Sequence, residues 1–213
     1  MSAPRLSGLR GLRTLFGPRA WRDDRAAQLV EFAVALPLLV VFVVGIFDFS
    51  GAFTLKQKLT NITRDAARAA AADPASDLTQ PSTAVPVSVS DAFQIIDNYL
   101  VANKINDCGI TATSFTQTLP ATWTYSSNGN GCPGTGLTIT INRMYYFPQN
   151  GASQPASVTC IQTPFGSQLT EIGTCISIQY AYQWRFGRVA SLLGSTTGLP
   201  NAITATAVTM NEN

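Results

Sequence analysis

The chain contains no histidine among its 213 residues. This absence excludes catalysis by Ser-His-Asp or Cys-His arrangements, histidine-ligated zinc and the HExxH helix of metalloproteases. No C-x-x-C pair occurs either, so a structural zinc site held by cysteines is poorly supported. No spacing among the acidic residues favours a catalytic carboxylate pair. We therefore expect no metal, no cofactor and no enzymatic activity.

Charged residues are scarce, at 12% of the chain against roughly 25% in ordinary soluble domains. Residues 1–28 contain six arginines and two aspartates, a net charge of +4. Residues 70–213 contain four basic and seven acidic residues, a net charge of −3. A weakly acidic body offers no basic groove to a polyanion, so we expect no nucleic-acid partner.

The cysteines number four and all follow residue 100. An even count in a small, polar, loop-rich region is typical of disulfides formed in an oxidising compartment. Three pairings are possible, and we favour the two sequential ones, Cys108–Cys132 and Cys160–Cys175.

An apolar run, Leu29–Phe49, interrupts this polar composition. As a helix its 21 residues would be about 30 Å long, the hydrocarbon thickness of a bilayer. The flanking basic residues orient the segment only weakly, but the cysteines require the oxidising side. The run is therefore predicted to be a transmembrane helix with its N-terminus in the cytoplasm.

A cleaved signal peptide is the alternative, with Ser50-Gly51-Ala52 as the small-residue cleavage site. The run is longer than the apolar core of a signal peptide and contains acids. The helical pattern also continues beyond Ala52. Apolar residues recur at three- and four-residue steps at Phe49, Ala52, Phe53, Leu59, Ile62, Ala66 and Ala69.

The pattern predicts one helix from about Gln28 to Ala72, roughly 65 Å long, which ends before Pro74. Its second half is an amphipathic stem, whose apolar stripe would pack on the chain's own domain or on neighbouring subunits. Two carboxylates border the membrane half. Asp48 is interpreted as a boundary residue, whereas Glu31 either lies at the headgroup level or has a specific role.

The stretch "RAAQLVEFAVALPLLVVFVVGIFDFSGAF", followed by "KLTNITRDAARAAA", resembles the N-terminal segment of the TadE and TadG pilus-assembly proteins. These are pilin-like proteins of the tight-adherence (Flp-type) pilus machinery. The resemblance covers about Arg25 to Ala72, with a weaker echo in the final "ITATAVTMNEN". It rests on Val-Glu-Phe at the start of the run, Pro37, Gly45, Asp48-Phe49 and the alanine-rich helix after Asn61.

The resemblance implies processing by a prepilin peptidase between Ala26 and Ala27, although the family has glycine where this chain has Ala26. Processing would make Glu31 the fifth residue of the mature chain. Glu31, with Phe32 beside it, would then dock onto the new α-ammonium group of a neighbouring subunit, because two paired charges cost less in a low dielectric than two separate ones.

The remaining chain is predicted to be an exported domain. Residues 74–90 are interpreted as a linker, and Ser90 as the cap of a helix from Asp91 to Asn103. Alternation predicts strands at 137–147, 175–186 and 203–210, with weaker candidates at 113–119 and 122–125.

"GNGCPG" (129–134) is interpreted as a disulfide-pinned turn rather than a nucleotide-binding loop, because a strand and not a helix follows it. Tyr180, Tyr182 and Trp184 are interpreted as core residues rather than a sugar- or surface-binding face.

These observations predict an α+β, pilin-like fold, in which a long N-terminal transmembrane and stem helix packs on a C-terminal antiparallel β-sheet. The predicted organisation is an arginine-rich cytoplasmic leader (1–27), the helix (28–73), a linker (74–90) and a disulfide-containing, β-rich periplasmic domain (91–213). The expected location is the bacterial inner membrane, with incorporation in a surface pilus as an extension. The expected partners are other pilin or pseudopilin subunits, pilus-assembly membrane proteins and a prepilin peptidase.

Three functions are compatible with this organisation. The first is a minor pseudopilin that supports pilus biogenesis and adhesion. The second is an uncleaved, membrane-anchored envelope protein of the same machinery. The third is a β-rich binding module secreted by signal peptidase.

Overall fold

The computed structural model describes residues 24–74, 76, 78, 84–147, 159–161, 172–185 and 200–212. The chain divides into two compact units, Met1–Phe47 and Asp48–Asn213. The predicted leader falls largely on residues 1–23, which lie outside the described residues. In the first unit the described residues belong to a helix. The second unit contains a stem, a further helix and a five-stranded sheet.

The first helix, α1 (Asp24–Ala72), has 49 residues. It begins four residues before the predicted start at Gln28 and ends where predicted, just before Pro74. Pro37 lies inside the helix. The second unit contains the stem part of α1, from Asp48 to Ala72.

The sheet is an antiparallel meander in the order β1-β2-β3-β4-β5. Its strands are β1 (Thr116–Leu119), β2 (Thr122–Ser127), β3 (Leu137–Tyr146), β4 (Ile172–Ala181) and β5 (Ala202–Met210). All five predicted strands are thus confirmed, although β4 begins three residues earlier than predicted and ends at Ala181. Phe186, the predicted end of that strand, lies outside the described residues.

One face of the sheet supplies half of the core. The register aligns Tyr125 with Ile139, Ile139 with Ile178, and Ile178 with Ala205, so these side chains share a face. All four are buried in one cluster with residues of the stem and of a second helix, α2 (Val87–Ala102). The predicted α+β fold, with a stem helix packed on a sheet, is confirmed.

The buried face of the stem consists largely of small residues. Its members in the core are Ala52, Leu59, Ile62, Ala66, Ala67 and Ala70. The predicted stripe is wrong at its first turns, because Phe49 and Phe53 are 52% and 64% exposed. At about 100° per residue Phe49 lies roughly a quarter-turn, and Phe53 more than a third of a turn, from the line through Leu59 and Ala66, so both rings leave the buried face.

The second helix begins at Val87, inside the predicted linker, and not at Asp91. In its first turn the amides of Val89 and Ser90 donate to the carbonyl oxygen of Pro86. The predicted cap is therefore wrong, because Ser90 lies within the helix and its hydroxyl accepts a bond from Gln94. Val89 is fully buried, and this burial extends the apolar face of the helix toward its N-terminus.

Both predicted disulfides are present. Cys108 and Cys132 are joined across a Cα–Cα distance of 5.4 Å, and Cys160 and Cys175 across 5.3 Å. The first bond adjoins the predicted turn at 129–134, where the amide of Cys132 donates to the carbonyl of Gly129. By loop length, each bond contributes about 3 kcal/mol in the chain-entropy model.

A β-bulge in β3 changes the face of the sheet on which Tyr145 lies. Three steps along β3, from Asn142 to Tyr145, match two steps along β4, from Cys175 to Gly173. The Asn142 amide group fixes the bulge, because its oxygen accepts the Met144 amide at 2.8 Å and its nitrogen donates to the Cys160 carbonyl at 2.7 Å. Tyr145 therefore joins Cys160 and Cys175 in a second apolar cluster, apart from the main core.

Within this bulge lies Arg143, which is fully buried. Its guanidinium group donates to oxygens from four separate segments of the chain. These are Ser88 Oγ in α2 at 3.1 Å, Thr174 Oγ1 in β4 at 2.8 Å, Asn211 Oδ1 after β5 at 3.2 Å and the Asp73 carbonyl after α1 at 2.8 Å. The Arg143 carbonyl in turn accepts the Asn211 side-chain amide at 3.2 Å. One side chain thus connects the end of α1, the start of α2, the sheet and the C-terminal segment.

We expect Arg143→Gln to lower the free energy of unfolding by about 2–4 kcal/mol, because shortening the fork leaves several buried oxygens without a donor. Urea denaturation of the detergent-solubilised chain, followed by circular dichroism, measures the change. Arg64→Gln, the same substitution at an exposed position of the stem, should stay within about 0.5 kcal/mol of the original chain. Equal stability of the two variants would contradict the connecting role of Arg143.

Candidate functional site

The predicted cleavage residues, Ala26 and Ala27, lie in the first turns of α1. Because α1 begins at Asp24, the bond between them is in the part of the helix whose N–H groups lack intrahelical partners. This end of the helix is therefore held by fewer backbone bonds than its interior.

Glu31 and Phe32 follow one turn later and are both exposed, Phe32 by 63%. Among the described residues, the Glu31 carboxylate forms no hydrogen bond and no ion pair. Adjacent helix positions differ by about 100° in direction, so the carboxylate and the ring cover neighbouring parts of the helix surface. Both remain available to a partner outside the chain.

The apolar surface around these two residues is uncovered. Within the described part of the chain, one helix is long and apolar enough to cross a membrane, and none of its most apolar 18-residue window is buried. Large side chains such as Leu29, Val34, Leu38 and Phe42 are each more than 60% exposed. A core helix of a soluble domain would bury such residues. The segment fits a membrane anchor, whose apolar surface is covered by lipid or by other apolar helices.

Asp48, which opens the second unit, belongs to that unit's structure. The prediction of a mere boundary residue is wrong, because Asp48 is only 6% exposed. The Tyr182 hydroxyl lies 3.1 Å from the Asp48 carbonyl oxygen and 3.2 Å from its Oδ1. On a helical projection Asp48 lies on the same face as Leu59 and Ala66, so the stem directs it toward the domain.

Gly51 makes this contact possible. A Cβ at Gly51 would lie 3.2 Å from the Tyr182 hydroxyl oxygen, closer than ordinary packing allows. The next aromatic residue along the chain, Trp184, lies with its ring 5.2 Å from that of Phe49 and 4.9 Å from that of Tyr182. Together these residues form what we call the basal joint (Asp48, Phe49, Gly51, Tyr182 and Trp184), which ties the first turn of the stem to the segment after β4.

The predicted role of the aromatic residues is confirmed in part. Tyr180 is buried in the core, whereas Tyr182 and Trp184 are half-buried in the basal joint. The Trp184 indole N–H donates to the Pro200 carbonyl at 2.6 Å. A period-two pattern of aromatic residues predicted a strand, but the chain leaves the strand at Ala181.

The pKa values of three tyrosines are raised above their usual range. Burial raises the pKa of Tyr125. Burial, with a smaller effect of the Asp107 charge, raises the pKa of Tyr180. Burial followed by the charge and the hydrogen bond of Asp48 raises the pKa of Tyr182, against a smaller opposing effect of Arg185.

Residues 26–68, about a fifth of the chain, match the family model of TadE-like proteins. This confirms the resemblance drawn from the sequence and indicates involvement in the tight-adherence pilus system. The matched segment includes Ala26, Ala27, Glu31, Phe32 and Asp48. No curated protein and no solved structure gave a significant match.

We expect Tyr182→Phe to destabilise the chain at neutral pH by about 0.5–1.5 kcal/mol, because it removes the hydroxyl that bonds to Asp48. Tyr99→Phe is the matched control, since among the described residues the Tyr99 hydroxyl forms no hydrogen bond. The same pair also tests the pH dependence.

A tyrosine whose pKa is higher in the folded chain favours folding fully below about pH 10 and loses that contribution as the pH rises through its folded pKa. Stability should therefore fall above about pH 10, and Tyr182→Phe should make the fall shallower. Melting temperatures across this range, with phenolate absorbance as a monitor, give the measurement. An unchanged slope would contradict the contribution of Tyr182.

Proposed function

We propose that this chain is a non-enzymatic, pilin-like subunit of a tight-adherence pilus system, inserted by α1 and assembled through it. The observation that carries the proposal is the coincidence of two features. The TadE-like segment, residues 26–68, falls on the helix whose apolar part is uncovered in the chain itself. An uncovered helix next to a folded, disulfide-bonded domain is what a subunit needs in order to leave lipid for a helical assembly.

The first step of the proposed assembly is processing between Ala26 and Ala27. Removal of the arginine-rich leader creates an α-ammonium group at Ala27 and places Glu31 four residues from it. The freed ammonium of one subunit and the Glu31 carboxylate of another then neutralise each other in a low-dielectric environment. The exposure of Glu31 and of the neighbouring Phe32 supports this step, because both side chains are accessible to another subunit.

A permanently anchored component of the same machinery is the second candidate. The observation that favours it is Ala26, which stands where the family has glycine. A peptidase pocket that accommodates only hydrogen would reject the methyl group. The anchor and the exported domain would be the same in both cases, and the two candidates differ in the mature N-terminus.

The basal joint argues against release of the domain by signal peptidase. Cleavage after Ser50-Gly51-Ala52 would remove Asp48, which accepts the Tyr182 hydroxyl bond, and Phe49, which contacts Trp184. Burial of Ala52 in the core cluster also ties this part of α1 to the domain. A secreted module would therefore lose part of its own structure.

We expect the mature chain to begin at Ala27. Mass spectrometry of the protein purified from membranes measures the N-terminus directly. Ala26→Gly, which restores the family's residue, should increase the processed fraction. A mature chain that begins at Met1 or Ser2 would support the permanently anchored component instead, and a start near Phe53 would support the secreted module.

Replacement of Glu31 should separate membrane insertion from assembly. Glu31→Gln keeps the size of the side chain and removes its charge, so a subunit would enter with an unpaired ammonium at the contact. We expect its incorporation into the pilus fraction to fall by about 100-fold or more, because breaking a buried pair costs about 3–5 kcal/mol.

Immunoblots of sheared surface material and of the membrane fraction measure the two steps separately. Asp91→Asn is the matched control, because it removes an exposed carboxylate on α2 without touching the N-terminal helix. Normal incorporation of Glu31→Gln would exclude the docking role, and loss of Glu31→Gln from the membrane fraction would instead indicate a defect of insertion.

A further inference from the structure

A cleft of about 820 Å³ lies beside the basal joint. Four segments of the second unit line it, namely the stem, the loop that follows α2, the turn at 129–134, and the end of β4 with the residues that follow it. The lining residues used below are Leu55, Lys104, Ile105, Tyr182, Trp184 and Arg185. We call this cavity the basal cleft.

Two basic residues are the charged groups that line the basal cleft. Lys104 and Arg185 are both exposed. Among the described residues, the Lys104 ammonium group forms no hydrogen bond or ion pair. The nearby acids are Asp48 and Asp107, whose charges act on Tyr182 and Tyr180, but neither lines the cleft. The walls of the cleft therefore present positive charge in a domain that is weakly acidic overall.

Aromatic and apolar groups accompany the two charges. Tyr182 and Trp184 are half-buried at one wall, and Leu55 contributes an aliphatic side chain. On the adjoining stem, Phe49 and Phe53 are more than half exposed. Amphipathic rings beside exposed apolar rings and basic groups are typical of the interface between membrane and water.

The chain itself brings these groups to the membrane surface. Asp48 directly follows Phe47, the last residue of the uncharged apolar run. At 1.5 Å per helical residue, Phe49 lies about 3 Å and Leu55 about 12 Å beyond Phe47 along the helix. The headgroup layer is roughly 5–8 Å thick on each side. When the run spans a bilayer, the stem between Phe49 and Phe53 is therefore at the depth of the lipid headgroups.

We propose that the basal cleft binds the headgroup of an anionic phospholipid, with Lys104 and Arg185 contacting the phosphate and Trp184 at the boundary with the acyl chains. A lipid would contact both the basic residues of the cleft and the exposed phenylalanines of the stem. A soluble anion would leave those phenylalanines in water. This inference goes beyond the proposed function. It requires insertion of α1 and no pilus, so it can fail while pilus incorporation stands, and the reverse.

The experiment uses the full chain in nanodiscs, in which a minor fraction of the lipid is brominated. Brominated phosphatidylglycerol is compared with brominated phosphatidylcholine at equal bromine content. The chain has three tryptophans, so the Trp184 signal is taken as the emission lost in Trp184→Phe. We expect the anionic brominated lipid to quench this signal more strongly than the zwitterionic one.

Replacement of the basic residues tests the site. Each cation near an anionic surface strengthens lipid binding roughly fivefold, so Lys104→Gln and Arg185→Gln should each lower the preference by up to that factor. Arg64→Gln is the matched control, because this exposed arginine lies about 25 Å beyond Phe47 along the stem and should leave the preference unchanged.

Four outcomes would overturn the proposal. They are equal quenching by the two lipids, an equal effect of Arg64→Gln, loss of the preference on adding soluble glycerol phosphate, and quenching that follows the number of chains per disc. The third would identify a soluble anion as the ligand, and the fourth a second copy of the chain.

If Trp184→Phe fails to fold, a second measurement that does not need this variant tests the proposal. Native mass spectrometry of the otherwise unaltered chain, released from mixed-lipid discs, should retain phosphatidylglycerol in preference to phosphatidylcholine. Lys104→Gln and Arg185→Gln should lose that preference, and its absence in the original chain would contradict the proposal.

Discussion

The second unit, Asp48–Asn213, depends on one buried guanidinium group. Arg143 connects the carbonyl that ends the stem, the first turn of α2, the middle of the sheet and the segment after β5. An arginine can do this because its planar fork carries five donors in fixed directions, whereas a lysine would offer a single mobile centre. Burying the charge is costly, and the cost is met only while every one of these segments stays in place. The position of the stem against the sheet is therefore coupled to the positions of α2 and of the C-terminal segment.

Helix α1 meets two environments. Before Asp48 its large apolar side chains are exposed, and after Ala52 its buried face is mostly alanine with a few larger residues. Large side chains suit a surface covered by lipid, whereas small ones allow the helix axis to approach the sheet and α2 closely. The basal joint lies where one composition gives way to the other. There, Asp48 and Gly51 accommodate the Tyr182 hydroxyl, so the first turn of the stem is fixed by a polar contact rather than by apolar packing.

The two proposals use different parts of this arrangement. Assembly relies on the uncovered apolar surface and on Glu31, whose carboxylate forms no hydrogen bond or ion pair with the described residues of the chain. Lipid binding relies on a cleft built by the second unit, where basic and aromatic side chains meet at the first turns of the stem. A subunit held by both would have its helix in the membrane and the base of its domain in contact with the headgroups. Departure into an assembly would then require the loss of both contacts.

The sequence by itself determined the elements: the apolar run, the helix that continues to Ala72 and the strands. These follow from periodicity and from Pro74, which act over short stretches of chain. For the cysteines it left three pairings open, and the structure decided for the two sequential ones. Only the tertiary structure decided the roles of Arg143 and Asp48, because each depends on partners 31 to 134 residues away in the chain. A single arginine inside an alternating strand, and an aspartate in line with Leu59 and Ala66, are unusual in the sequence, but neither pattern says what the side chain contacts. The start of α2 at Val87 also needed the fold, since burial of Val89 against the core outweighs the capping preference of Ser90.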